Sequence, residues 1–109
     1  SVEIWAGGTT AANATSKTIQ LYWGTTSIGS SGAAAHNNTN WLCHGIVLRT
    51  GATAQKAWTW GRSATNAWGI GATASPTETL SGAVTIKCTG TGGANDDVIQ
   101  QFLYVRFIG

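Results

Sequence analysis

The residues with the clearest chemical potential form one alternating segment, Lys56-Ala-Trp58-Thr-Trp60-Gly-Arg62. Side chains alternate between the two faces of a β-strand, so this spacing places both indoles and both cations on one face. Indole rings stack on the apolar faces of sugars, and Lys and Arg donate hydrogen bonds to hydroxyl or carboxylate groups. The segment therefore predicts a glycan platform, which Trp68 in the next loop would complete.

The same residues also fit a subunit interface. Interfaces are enriched in Trp and Arg, and cations stack on indole rings through cation–π contacts. In this interpretation Trp58 and Trp60 fill the interface, and Lys56 and Arg62 lie against them. We prefer the interface here and keep the ligand platform as the alternative.

Catalytic groups are scarce in this sequence. Its four acidic residues are Glu3, Glu78, Asp96 and Asp97. Glycoside hydrolysis needs two carboxylates across a cleft, whereas adjacent Asp96 and Asp97 would point to opposite faces of an extended chain. We expect these two to serve a turn before a strand. Because no Gly-x-Ser-x-Gly elbow and no Ser/His/Asp set is present either, we predict a protein that is not an enzyme.

Metal and cofactor sites are not indicated. The spacings of His36, His44, Cys43 and Cys88 match no zinc motif, and the sequence contains no phosphate-binding glycine motif. We expect His44 to be a hydrogen-bonded core or interface histidine, and both cysteines to be small buried hydrophobes, with a disulfide between them as the alternative. A calcium ion would need more oxygen ligands than residues 92–97 supply. We therefore predict no metal and no cofactor.

Composition predicts an all-β domain. The chain has 109 residues, of which 9% are charged, and it contains 15 Gly and six Trp. Surface helices need many more Glu, Lys and Arg, whereas Thr, Val, Ile and Trp separated by Gly are typical of strands and turns. The length suits one domain, residues 1–109. The chain has no Met and begins at Ser1, so we expect a domain cut from a longer polypeptide.

Charge and hydropathy exclude two classes of partner. The net charge is +2, and no two basic residues are adjacent. Nucleic-acid binding needs clustered phosphate contacts, so we expect no nucleic-acid partner. No apolar stretch approaches the roughly 18 residues of a spanning helix, so we expect no membrane insertion.

Alternation and turn residues predict at least six strands, with long loops between them. Such spacing favours an antiparallel β-sandwich or jelly roll. The predicted strands are residues 2–6, 17–24, 41–49, 55–62 and 84–88, a short strand near Ile28 and a last strand after Asp97.

Two of these strands are apolar on both faces, residues 41–49 and the last strand. A domain of this size buries only roughly 60–65% of its unfolded surface, so a neighbouring chain would provide useful cover. We therefore predict an oligomer, with a homotrimer as one of the common closed forms. One face of the last strand, with Phe102, Tyr104 and Arg106, is the expected subunit interface.

Several segments carry a resemblance to a known family: residues 4–13, 17–22, 49–57, 76–87 and 95–100. They resemble the C-terminal β modules of bacteriophage tail fibres and related virion structural proteins. The resemblance implies a jelly-roll-like head that assembles as a homotrimer on the virion surface. The three tryptophans at 58, 60 and 68 depart from the smaller aliphatic residues usual there.

The resemblance and the tryptophans together predict a function. We expect the C-terminal domain of a longer virion protein, a trimeric tail fibre or spike tip that contacts other virion proteins and a host-cell surface receptor or glycan. Its expected location is the virion. The alternative is capsid decoration, a structural role in which subunit and virion contacts cover all of the aromatic surface.

Overall fold

The structure is a computed structural model that describes residues 1–69 and 73–108. Eight β-strands account for its regular structure. They are β1 (Val2–Thr10), β2 (Thr18–Trp23), β3 (Thr26–Ser30), β4 (Asn40–Gly51), β5 (Ala54–Ser63), β6 (Ala67–Gly69), β7 (Ile86–Thr91) and β8 (Val98–Phe107).

The strands form two antiparallel sheets. The larger sheet has the order β6-β5-β4-β1-β8, and the smaller has the order β3-β2-β7. The prediction of an all-β fold with antiparallel sheets is confirmed, and two sheets that share a core are compatible with a β-sandwich. Within the described ranges, no helix is long and apolar enough to cross a membrane.

Two strands differ most from the prediction, β1 and β6. β1 continues through Gly7 and Gly8, which the sequence placed in a loop, because both glycines lie against β8. A Cβ at Gly7 would lie 2.5 Å from the Phe102 ring. The predicted short strand near Ile28 is present as β3. The sequence predicted a loop at residues 63–77, but β6 forms within it. Residues 70–72 of this loop lie outside the described residues.

The core lies between the sheets and follows the odd–even alternation of the strands. The even positions of β1 face the core from Val2 to Ala6, and the odd positions of β4 do so from Trp41 to Val47. The smaller sheet supplies alternating apolar residues, which complete the core. They are Ile19, Leu21, Trp23 and Ile28.

A buried lysine connects the loops at one end of the domain through hydrogen bonds. Lys17 is fully buried, and its Nζ shares its protons among three carbonyls and one amide oxygen at 2.7–3.0 Å, those of Asn13, Thr15 and Ala35. Asn13 also donates from Nδ2 to Asp97 at 2.9 Å. One polar network thus joins three separate loops, because a buried charge is stable only when its hydrogen bonds are satisfied.

Asp97 performs the turn role predicted for it. Its Oδ2 accepts hydrogen bonds from the backbone N–H groups of Gly93 and Ala94, at 2.8 and 3.0 Å. The amide of Asn13, together with these two N–H groups, holds the pKa of the Asp97 carboxyl below its ordinary value. This stabilisation is present above the ordinary pKa of 3.8 and is lost as the pH falls through the lowered value.

The two cysteines face each other across the core as free thiols, Cys43 from the larger sheet and Cys88 from the smaller. The hydrogen bond between the two sulfurs, followed by burial, raises the pKa of Cys43 far above its usual range. The same hydrogen bond lowers the pKa of Cys88. Cys43 is buried as predicted, whereas Cys88 is only partly buried.

Alkylation should therefore distinguish the two thiols. We expect iodoacetamide to modify Cys88 first in the native protein, and Cys43 at least about tenfold more slowly, because the thiolate is the reactive form. Mass spectrometry of proteolytic peptides at timed intervals measures both rates. In guanidinium chloride the two rates should become similar, and equal rates in the native state would contradict this arrangement.

Candidate functional site

The candidate site is the outer face of the larger sheet, which we define as the face turned away from the smaller sheet. Residues directly opposite each other in antiparallel strands share a face, so the strand register gives the layout. Side chains from β8, β1, β4 and β5 form three rows across this face. The rows are Arg106–Glu3–Ile46–Trp58, Tyr104–Trp5–His44–Trp60 and Phe102–Gly7–Leu42–Arg62.

The middle row is aromatic. The rings of Trp5 and His44 stack with their centroids 3.9 Å apart, and Trp60 meets both edge-on at 5.8 and 5.7 Å. His44 donates from Nε2 to Glu3 at 3.3 Å, which agrees with the prediction that it is a hydrogen-bonded histidine. These contacts fix Trp60 in place, because each ring is held by a neighbour on the adjacent strand.

The predicted platform residues do lie together on the outer face along β5. Ala57 and Thr59, which alternate with them, are buried against the core. Lys56 and Arg62 are exposed, Trp58 is 38% exposed and Trp60 is half-buried. The structure thus places all four side chains where either a ligand or a partner subunit can reach them.

Trp68 does not join them, and its expected position is corrected. Its indole lies over Gly61, where a Cβ would be 2.2 Å from the ring, and it packs on the core side near Cys43. The edge of the His36 ring also contacts it, with centroids 5.8 Å apart. The sequence placed Trp68 in a loop, whereas pairing of β6 with β5 turns it toward the core.

A shallow cleft opens at one end of the platform. It has a volume of about 490 Å³, within the range of small-ligand sites. The residues that line it come from neighbouring positions of β4 and β5, and two of them, Trp41 and Ser63, have buried side chains. Its lining residues are Asn40, Trp41, Leu42, Trp60, Arg62 and Ser63.

The outer face carries excess positive charge. Three cations project from it, Lys56, Arg62 and Arg106, against one carboxylate, that of Glu3. Within residues 1–69 and 73–108, the one close contact of a carboxylate with a Lys, Arg or His side chain joins Glu3 to His44. Arg62 and Lys56 therefore present their charges without a carboxylate partner in the described part of the chain.

The strand β8 lies at the opposite edge of this sheet. Phe102 and Tyr104 are on its outer face, where they are 46% and 56% exposed, and Arg106 is also exposed there. Its other face is equally uncovered, because the smaller sheet reaches only the start of β8, where Gly90 approaches Val98. Phe107 on that side is 83% exposed.

Sequence reasoning missed part of the outer face. Trp5 and Glu3 alternate with core residues of β1, a signal that places them on the outer side of that strand. Which residues they would meet depends on the pairing of β1 with β4, which the sequence does not specify. The exposure of Leu103, Val105 and Phe107 was also missed, because it depends on how far the smaller sheet extends.

The outer face combines aromatic rings with cationic side chains. Across the two described ranges, no group of three or more His, Cys, Asp or Glu residues is placed to hold a metal ion. The outer face offers stacking rings, cationic hydrogen-bond donors and an amide. Comparison of the chain with models of protein families, with curated proteins and with solved structures found no match.

Proposed function

We propose that this chain is a non-enzymatic surface domain of a virion, which assembles as a homotrimer at the tip of a tail fibre or spike and contacts a host-cell surface receptor or glycan. The observation that carries the proposal is the exposure of β8 on both faces. Large apolar side chains on an unpaired edge strand attract other chains, and natural proteins normally cover or charge such edges.

The pattern of exposure favours assembly of several copies. On one side of β8 lie Phe102 and Tyr104, and on the other Leu103, Val105 and Phe107. A ring with three-fold symmetry uses two different surfaces of each subunit, so the two faces of β8 would be covered by two neighbours. The resemblance to phage fibre modules supports the same stoichiometry.

Strand pairing supports a jelly-roll-like topology within this proposal. A jelly roll is a double sheet of eight antiparallel strands, common in viral capsid domains. The described residues also form eight strands, among which β1 pairs with β8, β2 with β7 and β4 with β5. The topology departs from a jelly roll at β3, which pairs with β2 and not with β6.

Capsid decoration is the alternative function. In that role the virion would cover the outer face as well as β8, and the half-buried aromatic row of Trp5, His44 and Trp60 would fit such a contact. Capsid decoration predicts the same trimer, but it predicts that no soluble ligand binds the β5 side of the sheet.

The mass of the purified domain tests the proposed assembly. Light scattering coupled to size exclusion should give three times the 11.2 kDa of one chain over a range of micromolar concentrations. A mass of 11.2 kDa at every concentration would overturn the trimeric head, and a mass of two chains would replace it with a dimer.

A further inference from the structure

We propose that the cleft beside Trp60 and Arg62 is a subsite for an acidic saccharide, with Arg62 bound to the carboxylate of a uronic or sialic acid unit. This inference rests on the proposed host contact and names the chemical class of its ligand. It separates the outer face into two parts, an assembly region at the edge strand β8 and a ligand region at β5, next to the short strand β6.

The aromatic part of the subsite is preorganised. Trp60 is held from one side by the edge contacts with Trp5 and His44, and it lines the cleft. Trp58 lies two residues away on the same face and is 38% exposed. Sugar rings stack on such fixed indoles without ordering a mobile side chain, which lowers the entropic cost of binding.

The charge of the ligand follows from the charge of the cleft. Arg62 and Asn40 are the exposed polar residues among those that line it, and the guanidinium of Arg62 has no carboxylate partner within the described residues. A guanidinium donates two parallel hydrogen bonds to a carboxylate, a geometry that a neutral sugar hydroxyl does not match. The sole acid of the outer face, Glu3, is already paired with His44.

The length of the platform suits a short oligosaccharide. Lys56 and Arg62 lie six residues apart on one strand, which corresponds to about 20 Å. A second carboxylate along the same chain would therefore reach Lys56 while the first is bound at Arg62. Repeating acidic polysaccharides present carboxylates in this way, so Lys56 should add affinity for chains longer than one unit.

The location of the subsite leaves it open after assembly. In the larger sheet, two strands separate β5 from β8. Neighbouring strands are about 4.8 Å apart, so β5 and β8 are about 14 Å apart. A trimer that covers β8 can thus present the cleft to solvent, and binding and assembly can be measured independently.

Calorimetric titration with matched oligosaccharides tests the inference. The probes are trigalacturonate, a hyaluronan tetrasaccharide and 3′-sialyllactose, each beside its carboxyl methyl ester, which keeps the rings and removes the charge. We expect at least one acid to bind about tenfold more tightly than its ester, and the difference to shrink at high salt. Equal affinity for every acid and its ester, or no binding by any probe, would overturn the inference.

Variants locate the binding. Arg62→Gln should remove the preference for the acid over the ester, whereas Trp58→Ala should weaken both forms together. Lys87→Gln is the matched control, because Lys87 is an exposed cation beside an aromatic ring, 5.1 Å from that of Tyr22, on the smaller sheet. Full acid preference in Arg62→Gln would assign the carboxylate to another group and overturn the proposal.

The mass of each protein is measured in the same buffer, so that a failure of the proposed trimer can be distinguished from a failure of the proposed subsite. A trimer without acid preference would overturn the subsite and leave the assembly intact. A monomeric wild type would overturn the proposed function. If Trp58→Ala alone dissociates the trimer, the tryptophan belongs to the subunit interface and the ligand inference is wrong.

Discussion

Replacing Lys17 with Met is expected to lower the free energy of unfolding by about 3 kcal/mol or more. The buried Nζ satisfies four oxygens, among them the carbonyls of Thr15 and Ala35. Methionine fills a similar volume but donates nothing, so these oxygens would remain desolvated without partners. Chemical denaturation with urea, followed by Trp fluorescence, measures the loss.

The matched control for this variant is Lys87→Met, which removes an exposed lysine from β7. It should change the free energy of unfolding by less than about 0.5 kcal/mol, as exposed substitutions generally do. At about 4–8 °C per kcal/mol for small domains, Lys17→Met should melt more than about 10 °C below the wild type. Similar melting of the two variants would show that the loop network contributes little.

Replacing Val105 with Asp is expected to dissociate the trimer to monomers. Val105 is at the centre of the inward-facing side of β8, between Leu103 and Phe107, and it is 38% exposed in the single chain. In an assembled trimer this carboxylate would be desolvated without a partner, which costs several kcal/mol per site. Sedimentation velocity of the variant at micromolar concentration measures the change in mass.

An effect of Val105→Asp on folding must be distinguished from its effect on assembly. Because Val105 is exposed in the monomer, Val105→Asp should keep the wild-type far-ultraviolet circular dichroism and unfold cooperatively. The control is Lys56→Asp, at an exposed strand residue on the β5 side of the sheet. Lys56→Asp should remain trimeric. If this control dissociated while Val105→Asp stayed trimeric, the subunit interface would lie on the β5 side of the sheet and not at β8.

Much of the fold could be predicted because the strands alternate cleanly. Apolar residues at alternate positions of β2, and the small residues that alternate with the tryptophans of β5, identify the buried faces without knowledge of strand order. The same alternation placed Lys56 and Arg62 on one side. Local pattern thus determined which side of each strand faces the core.

What could not be predicted depends on long-range pairing. Gly7 and Gly8 are typical of a loop, yet they belong to β1 because the Phe102 ring and the Ile99 carbonyl occupy the space of their missing side chains. The sequence predicts that Trp68 lies in a loop, but its indole covers Gly61 because β6 pairs with β5. The aromatic row at Trp5 and His44 likewise exists only through the register of β1 with β4.

Hydrogen–deuterium exchange of the wild-type domain tests the central claim most directly, that copies join through β8 and leave β5 free. Alternate N–H groups of an unpaired edge strand point to solvent, so they exchange rapidly unless another chain covers them. We predict that peptides spanning residues 98–107 exchange much more slowly in the wild type than in Val105→Asp, while peptides from residues 54–63 exchange equally in both. Rapid exchange of residues 98–107 in the wild type, at the same rate as in the variant, would contradict the account.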